Sequence, residues 1–318
     1  MTADRLPDFV LPFEVKPLGI RGRIVRLGPV IDDILSRHDY PSPVSALLAQ
    51  AVALCGLLGT ALKYKGKFVL QTKTDGPVSM LVADYATPNG IRGTARFDKT
   101  APLAERSETA LLGEGYLAMT VDQGTDMERY QGIVPLNNTS LAQAAHTYFQ
   151  QSEQIPTRLR IAAGPLSIRG DKSAHWRAGA ILVQHLPREG GMSALLPSSG
   201  DVPEGHQDLM AENDAESDDW VKARLILDTV EDHELLDPTL SAEELLYRLY
   251  HEDGVTVYPA TALARHCACS AETVGDMLRN FSPQDRADMV EDGAIRVVCE
   301  FCSTAYRFKL SEFEAAVP

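Results

Sequence analysis

The sequence predicts an α+β protein ending in a small zinc-binding module, and three features carry that prediction. The segment Pro43 to Tyr64, PVSALLAQAVALCGLLGTALKY, is apolar on nearly every face of a helix, and such a helix is normally enclosed by other elements. Strand-like runs with β-branched or alternating patterns follow it and supply material to enclose it. Four of the five cysteines fall within Cys267 to Cys302, as two close pairs.

Taken in order, Lys67 to Thr72 and Val78 to Tyr85 read as strands. Lys73-Thr74-Asp75-Gly76-Pro77 between them has turn chemistry, which predicts a hairpin. Ile91 to Phe97, Tyr116 to Asp122, Arg158 to Ala163 and Gly179 to His185 are further strand candidates. Ser140 is placed to cap a helix whose Leu141, Ala145, Tyr148 and Phe149 share one face. These elements make a first domain over residues 1–190. From Ser198 to Asp219 the chain holds eight acidic residues and no Lys or Arg, among Gly, Pro and Ser, which reads as a solvated, flexible acidic insertion over residues 191–219. Trp220 to Asp237 and Ser241 to Asp253 read as two helices. The second carries a capping box, Ser241 with Glu244, a Gly254 stop, and an apolar stripe of Leu245, Leu246, Leu249 and Tyr250. They form a linker over 220–264 that leads into the module at 265–318.

At 318 residues, 44% hydrophobic and 23% charged, the chain has the composition of a globular protein with a sizeable core. Its formal net charge of -14 argues against nucleic acid as a partner, because that affinity comes from clustered Lys and Arg. Residues 41–62 lack charge but include Gln50, Thr60, Gly56 and Gly59, a poor membrane span, so no membrane partner is expected. Met1 to Phe13 has no basic stretch followed by an apolar one, so a cytoplasmic, reducing location is expected. In that compartment clustered cysteines read as metal ligands or redox thiols before permanent disulfides.

Cys267-Ala268-Cys269 and Cys299-Glu300-Phe301-Cys302 supply four thiolates, which complete the tetrahedral shell of one zinc ion and leave no open position for a substrate water. The site is therefore structural or regulatory, and catalytic residues are not expected. A module of some fifty residues has little core of its own, so folding and metal binding should be one event. Both pairs also lie close enough in sequence for short-loop disulfides once the metal leaves. An inert zinc finger remains the plain alternative. His266 reads as a neighbour of the site, the shell being complete without it, and Cys55 reads as a small core residue inside the apolar helix. No Ser-His-Asp order, phosphate-binding glycine loop, HExxH or paired-carboxylate motif stands out. From Cys267 to Pro318 nine acidic residues outnumber five basic ones, the reverse of a DNA-reading finger.

The pattern resembles the heat-shock protein 33 family of redox-regulated bacterial holdase chaperones over nearly the whole chain. The resemblance rests on Tyr130-Gln131-Gly132-Ile133-Val134-Pro135-Leu136, Tyr148 through Thr157, Leu70-Gln71 through Asp75-Gly76-Pro77-Val78, Cys267-Ala268-Cys269-Ser270, Glu291-Asp292-Gly293 and Cys299-Glu300-Phe301-Cys302. It implies a β/α/β core domain around a buried helix, a metastable helical linker and a zinc domain. It further implies a reduced, zinc-bound monomer with little activity. Oxidation then releases zinc, forms the disulfides Cys267-Cys269 and Cys299-Cys302, unfolds the linker and gives a homodimer that holds unfolding client proteins without ATP. The acidic insertion departs from the family pattern. The expectation is an oxidation-activated chaperone and not an enzyme, serving the response to oxidative stress. A zinc-dependent interaction or transcription-associated module is the alternative, and a thiol-disulfide oxidoreductase ranks third, since C-x-x-C occurs outside any βαβ pattern.

Overall fold

The structure, a computed structural model, describes residues 8–61, 65–104, 106–124, 129–167, 174–186 and 217–313. Phe9–Val15 (β1) and Ile20–Leu27 (β2) form a hairpin whose turn needs the left-handed backbone of Gly19, at φ 60°. A short helix, Pro29–Leu35 (α1), leads to Ser42–Gly59 (α2), in which thirteen residues are buried. The expected extension of α2 to Tyr64 does not occur. The Thr60 N–H and hydroxyl both donate to the Gly56 carbonyl, closing the last turn, and residues 62–64 lie outside the described residues.

Lys67–Thr74 (β3), Met80–Ala86 (β4) and Gly90–Arg96 (β5) form an antiparallel meander. The short helix Glu108–Leu112 (α3) precedes Glu114–Asp122 (β6) and Tyr130–Asn137 (β7). Ser140 caps Leu141–Tyr148 (α4) through a capping box with Gln143, as its sequence predicts, and one π-helical turn follows over Phe149–Glu153. Thr157–Ser167 (β8) and Ala174–His185 (β9) close the domain.

Asp218–Asp228 (α5), Asp232–Leu236 (α6) and Ala242–Tyr250 (α7) come next. The single helix expected over Trp220–Asp237 is thus two. It breaks at Thr229, whose hydroxyl donates to the Ile226 carbonyl, and restarts at Glu231, which forms its own capping box with Glu234. Most of the acidic insertion, through residue 216, lies outside the described residues, but its last three form the N-cap and the start of α5. Ser217 accepts the Trp220 N–H, and Asp218 and Asp219 occupy the first turn, where negative charge favours the helix dipole. The end of the expected helical linker is extended instead, as Thr256–Val257 (β10), Thr261–Ala262 (β11) and Ala264–Arg265 (β12). The C-terminal module holds Ala271–Arg279 (α8), Pro283–Asp288 (α9), Val290–Glu291 (β13), Ala294–Val298 (β14) and Ala305–Phe308 (β15).

Three sheets result. The first runs β10-β1-β2-β9-β8, with β11 also on β1; the second runs β12-β5-β4-β3-β6-β7; the third is β13-β14-β15. Helix α2 lies between the first two, against β2, β8 and β9 on one side and β3, β4 and β5 on the other, which makes the core a β/α/β sandwich. That enclosure accounts for the apolar circumference of α2. It is 18 residues long and apolar enough to cross a membrane, yet most of it is buried inside the fold, as for the central helix of a core. The opposite face of the first sheet is also apolar. Leu11, Phe13, Ile20, Ile24, Ile181 and Val183 are covered there by Trp220, Leu227, Leu235, Leu245, Leu246 and Tyr250 of α5 to α7.

Candidate metal centre

The local sequence builds two short platforms for sulfur. Cys267 and Cys269 follow β12 directly, and Ser270 then caps α8 by accepting the Thr273 N–H at 3.0 Å. Cys299 and Cys302 flank the turn between β14 and β15. There the Ser303 N–H donates to the Cys299 carbonyl at 2.8 Å and the Cys299 N–H to the Thr304 carbonyl at 3.0 Å. Asp292 and Gly293, at φ 49° and 78°, make the tight turn that sets β13 against β14. A small apolar cluster of Leu278, Ile295 and Phe308 holds α8 on this sheet.

These platforms converge. The four sulfurs lie within 4.8 Å of one another, with Cys267 and Cys269 at 3.3 Å, Cys267 and Cys299 at 3.7 Å, and Cys269 and Cys302 at 3.3 Å. Sulfurs at the corners of a tetrahedron about 2.3 Å from a central zinc would stand about 3.8 Å apart, so the donor set and its spacing fit a closed tetrathiolate site. Cys302 is buried and the other three are half-buried. Burial pushes the Cys269 thiol up to about 12, although the Tyr306 hydroxyl donates to its sulfur at 3.2 Å, and burial also raises Cys299. For Cys302 burial opposes the anion, but hydrogen bonds from the Thr304 hydroxyl and N–H, and then from the Cys269 and Cys299 thiols, together outweigh it and hold the thiol down at about 6. A divalent cation held by the four sulfurs would keep them as thiolates.

His266 stands apart from this cluster, its N–H donating to the Ile91 carbonyl at 3.0 Å in continuation of β12. Cys55 is wholly buried in α2, where burial and then the charge of Asp84 push its pKa well up, so it is a core residue. Of the apolar linker positions, Leu245 and Leu246 are buried against the first sheet, Ile226 and Leu249 partly so, and Leu225 remains 55% exposed.

No sequence signal marks the seat of the centre. The turn Cys299–Ser303 rests on the core: Thr94 donates to the Glu300 carbonyl at 2.8 Å, Arg96 pairs with the Glu300 carboxylate at 3.0 Å, and the Arg92 guanidinium lies 3.9 Å over the Phe301 ring. His38, stacked on Tyr40, reaches the Phe301 carbonyl at 3.3 Å and Ser303 Oγ at 3.2 Å. An isolated polar residue on a strand carries no mark of the loop it will meet.

Comparison with known proteins agrees with this architecture. The family model described as Hsp33 protein matches residues 8–309. A protein named 33 kDa chaperonin from Caulobacter vibrioides is 41% identical over 309 residues, 95% of each chain. Another of that name, from Cronobacter sakazakii, is 34% identical and covers 91% of this chain and 88% of its own. The solved 33 kDa chaperonin (heat shock protein 33 homolog) of Thermotoga maritima superposes with a TM-score of 0.74 over 96% of each chain, at 22% identity, a likeness of fold.

Proposed function

Because the chain belongs to the Hsp33 family, and is therefore a chaperone and not an enzyme, we propose that it is a redox-regulated, ATP-independent holdase of the cytoplasm, switched by the thiol state of Cys267, Cys269, Cys299 and Cys302. The observation that carries the reading is the convergence of these four sulfurs at the end of the segment that covers the first sheet.

A zinc ion held there would supply a closed four-thiolate cross-link and folding free energy on the order of 10 kcal/mol. The chain's own residues do the rest. On oxidation, Cys267 with Cys269 and Cys299 with Cys302 each form one S–S bond. Each pair of thiolates gives up two electrons, and a hypochlorite ion takes them together with two protons from solvent and leaves as chloride and water. Disulfides do not ligate zinc, and with Leu278, Ile295 and Phe308 as its buried apolar cluster the module then unfolds.

Its loss reaches the linker through two-residue strands. β12 sits on the edge of β5, and β10 and β11 sit on the edge of β1, ladders too short to hold alone. Once they peel away, α5 to α7 keep only their contacts to the first sheet. When those helices leave, Leu11, Phe13, Ile20, Ile24, Ile181 and Val183 form an apolar face that binds unfolded clients by area burial or pairs with a second copy as the active dimer. The reduced protein is then the monomer.

The test is to titrate hypochlorite into reduced protein while counting free thiols and released zinc, and to assay the same samples for suppression of aggregation of a thermally unfolding client. One zinc lost with four thiols, in step with the gain in suppression, is the expected result. Retained zinc and thiols in an oxidised sample that is already active would sink the switch.

A further inference from the structure

We propose that Arg92 is the core's counter-cation for the four-thiolate centre, a positioning residue that ties the charge state of the sulfurs to the docking of the module on β5. The inference rests on the reading that the four cysteines hold a metal.

Residues i, i+2 and i+4 of a strand share a face, so Arg92, Thr94 and Arg96 of β5 point together. Gly93, between them, faces α2, where an added Cβ would stand 2.6 Å from Val52. The register fixes what Arg92 meets. β12 runs parallel to β5 with Arg265 opposite Ile91, so the next residues of the chain, His266 and Cys267, arrive beside Arg92.

Its guanidinium touches both halves of the centre. One nitrogen lies 3.9 Å from Cys267 Sγ, and the plane stacks over Phe301, which separates the second pair of ligands. From the other side the carboxylate of Asp84, 8% exposed, pairs with it at 2.7 Å and fixes its direction. Thr94 and Arg96 meet Glu300 of the same turn, but neither is among the groups bonded to sulfur.

Charge gives this contact a role beyond packing. Four thiolates around a divalent cation carry two net negative charges, and a half-buried anion is stabilised by a fixed cation held in a planar, hydrogen-bonding group. A donor on a metal-bound thiolate also draws electron density from the sulfur, which lowers its reactivity toward an electrophilic oxidant. Two disulfides carry no charge, so oxidation removes the anion that Arg92 faces, and the stack on Phe301 goes with the turn. The core thus holds the charged module and releases the neutral one.

The experiment compares full-length wild type, Arg92→Met, Arg92→Lys and, as a control for loss of a surface charge, Arg106→Met. Zinc affinity is measured by chelator competition, and thiol loss is followed under limiting hypochlorite. Arg92→Met should hold zinc about tenfold more weakly, as for loss of a partner to a ligating group, and should lose its thiols several-fold faster. Arg92→Lys should recover most of the affinity, because it restores the charge beside Cys267. Arg106→Met should match wild type. If Arg92→Met does not fold, Phe301→Leu removes the stack from the module's side, and hydrogen exchange in residues 264–267 should rise in the reduced protein. Wild-type values for zinc affinity and thiol loss in Arg92→Met, or for exchange in Phe301→Leu, would overturn the proposal. Failure of the underlying reading is distinct: wild-type protein loaded with cobalt would then lack the absorption of four thiolate ligands.

Discussion

The core domain and the C-terminal module hold themselves together by different means. In the core, α2 is buried on all sides between two sheets, and its Leu47, Leu48, Leu54 and Leu57 belong to one continuous apolar cluster with residues of β2 to β9. In the module the buried apolar cluster is only Leu278, Ile295 and Phe308 among the described residues, edged by partly buried side chains and by the four sulfurs. A core made of apolar area responds to temperature and denaturant, whereas a module held by ligand bonds, as the proposed function has it, responds to metal and oxidant. Putting both in one chain, with α5 to α7 between them, is what the proposed switch requires, namely a part that oxidation unfolds beside a part that stays folded.

The strongest break of this contrast is metal removal. Chelation of the reduced protein should abolish hydrogen-exchange protection in residues 267–313, a loss on the order of 10 kcal/mol for the module, and leave the urea transition of the core where it was. A core transition that moved with it would show the two parts to be one cooperative unit.

One truncation made on both sides sharpens the comparison next. Leu48→Ala should cost about 3 kcal/mol, read as a lower urea midpoint with zinc affinity unchanged. Leu278→Ala, equally buried, should cost a similar amount but appear as zinc affinity weaker by about 100-fold, because the module's folding is paid by the metal. Equal urea shifts and equal zinc affinities for the two variants would erase the distinction.

The linker lies between these extremes. Ser241→Ala removes the cap that accepts the Glu244 N–H on α7 and should cost about 1 kcal/mol of the cover over the first sheet. At fixed oxidant, client protection should then begin at a lower temperature, and an unchanged onset would count against the helices as the cover.

The smallest effect is a pH dependence within the core. His146 Nε2 accepts the Leu159 N–H at 3.0 Å, and burial, then the charge of Arg158, lowers its pKa below the ordinary value. The unfolded chain therefore binds its proton first as pH falls. Stability should drop as pH falls through the ordinary histidine range near 6.5 and level off below the folded-state pKa, with a slope of less than one proton. His146→Ala should flatten that slope in urea titrations from pH 7 to 5, and a slope that survives must belong to another group.

Much of the fold was legible because burial leaves a pattern. The all-round apolar run of α2 and the alternation in β3 to β6 stated what each face would touch. β1 and β7 were not legible, because Pro12 and Pro135 argue against strands. Pro12 is tolerated between β10 and β11, where its carbonyl accepts the Tyr258 N–H, and Pro135 lies on β7, an edge of the second sheet. The break at Thr229 was missed because the apolar period runs on through Val230, which packs against the first sheet from the turn itself.

By itself the sequence determined which four cysteines come together, since two close pairs at C-x-C and C-x-x-C spacing are the pattern of one shared site. It also determined the buried helix and the linker caps, which are local signals of composition and spacing. Only the tertiary structure decided which sulfur stands beside which, and what the centre rests on. Arg92 is 175 residues from Cys267, and their contact exists because two short strands happen to pair in one register. Local patterns record the energy of burial and capping, residue by residue, whereas contacts between distant segments depend on the whole chain being folded.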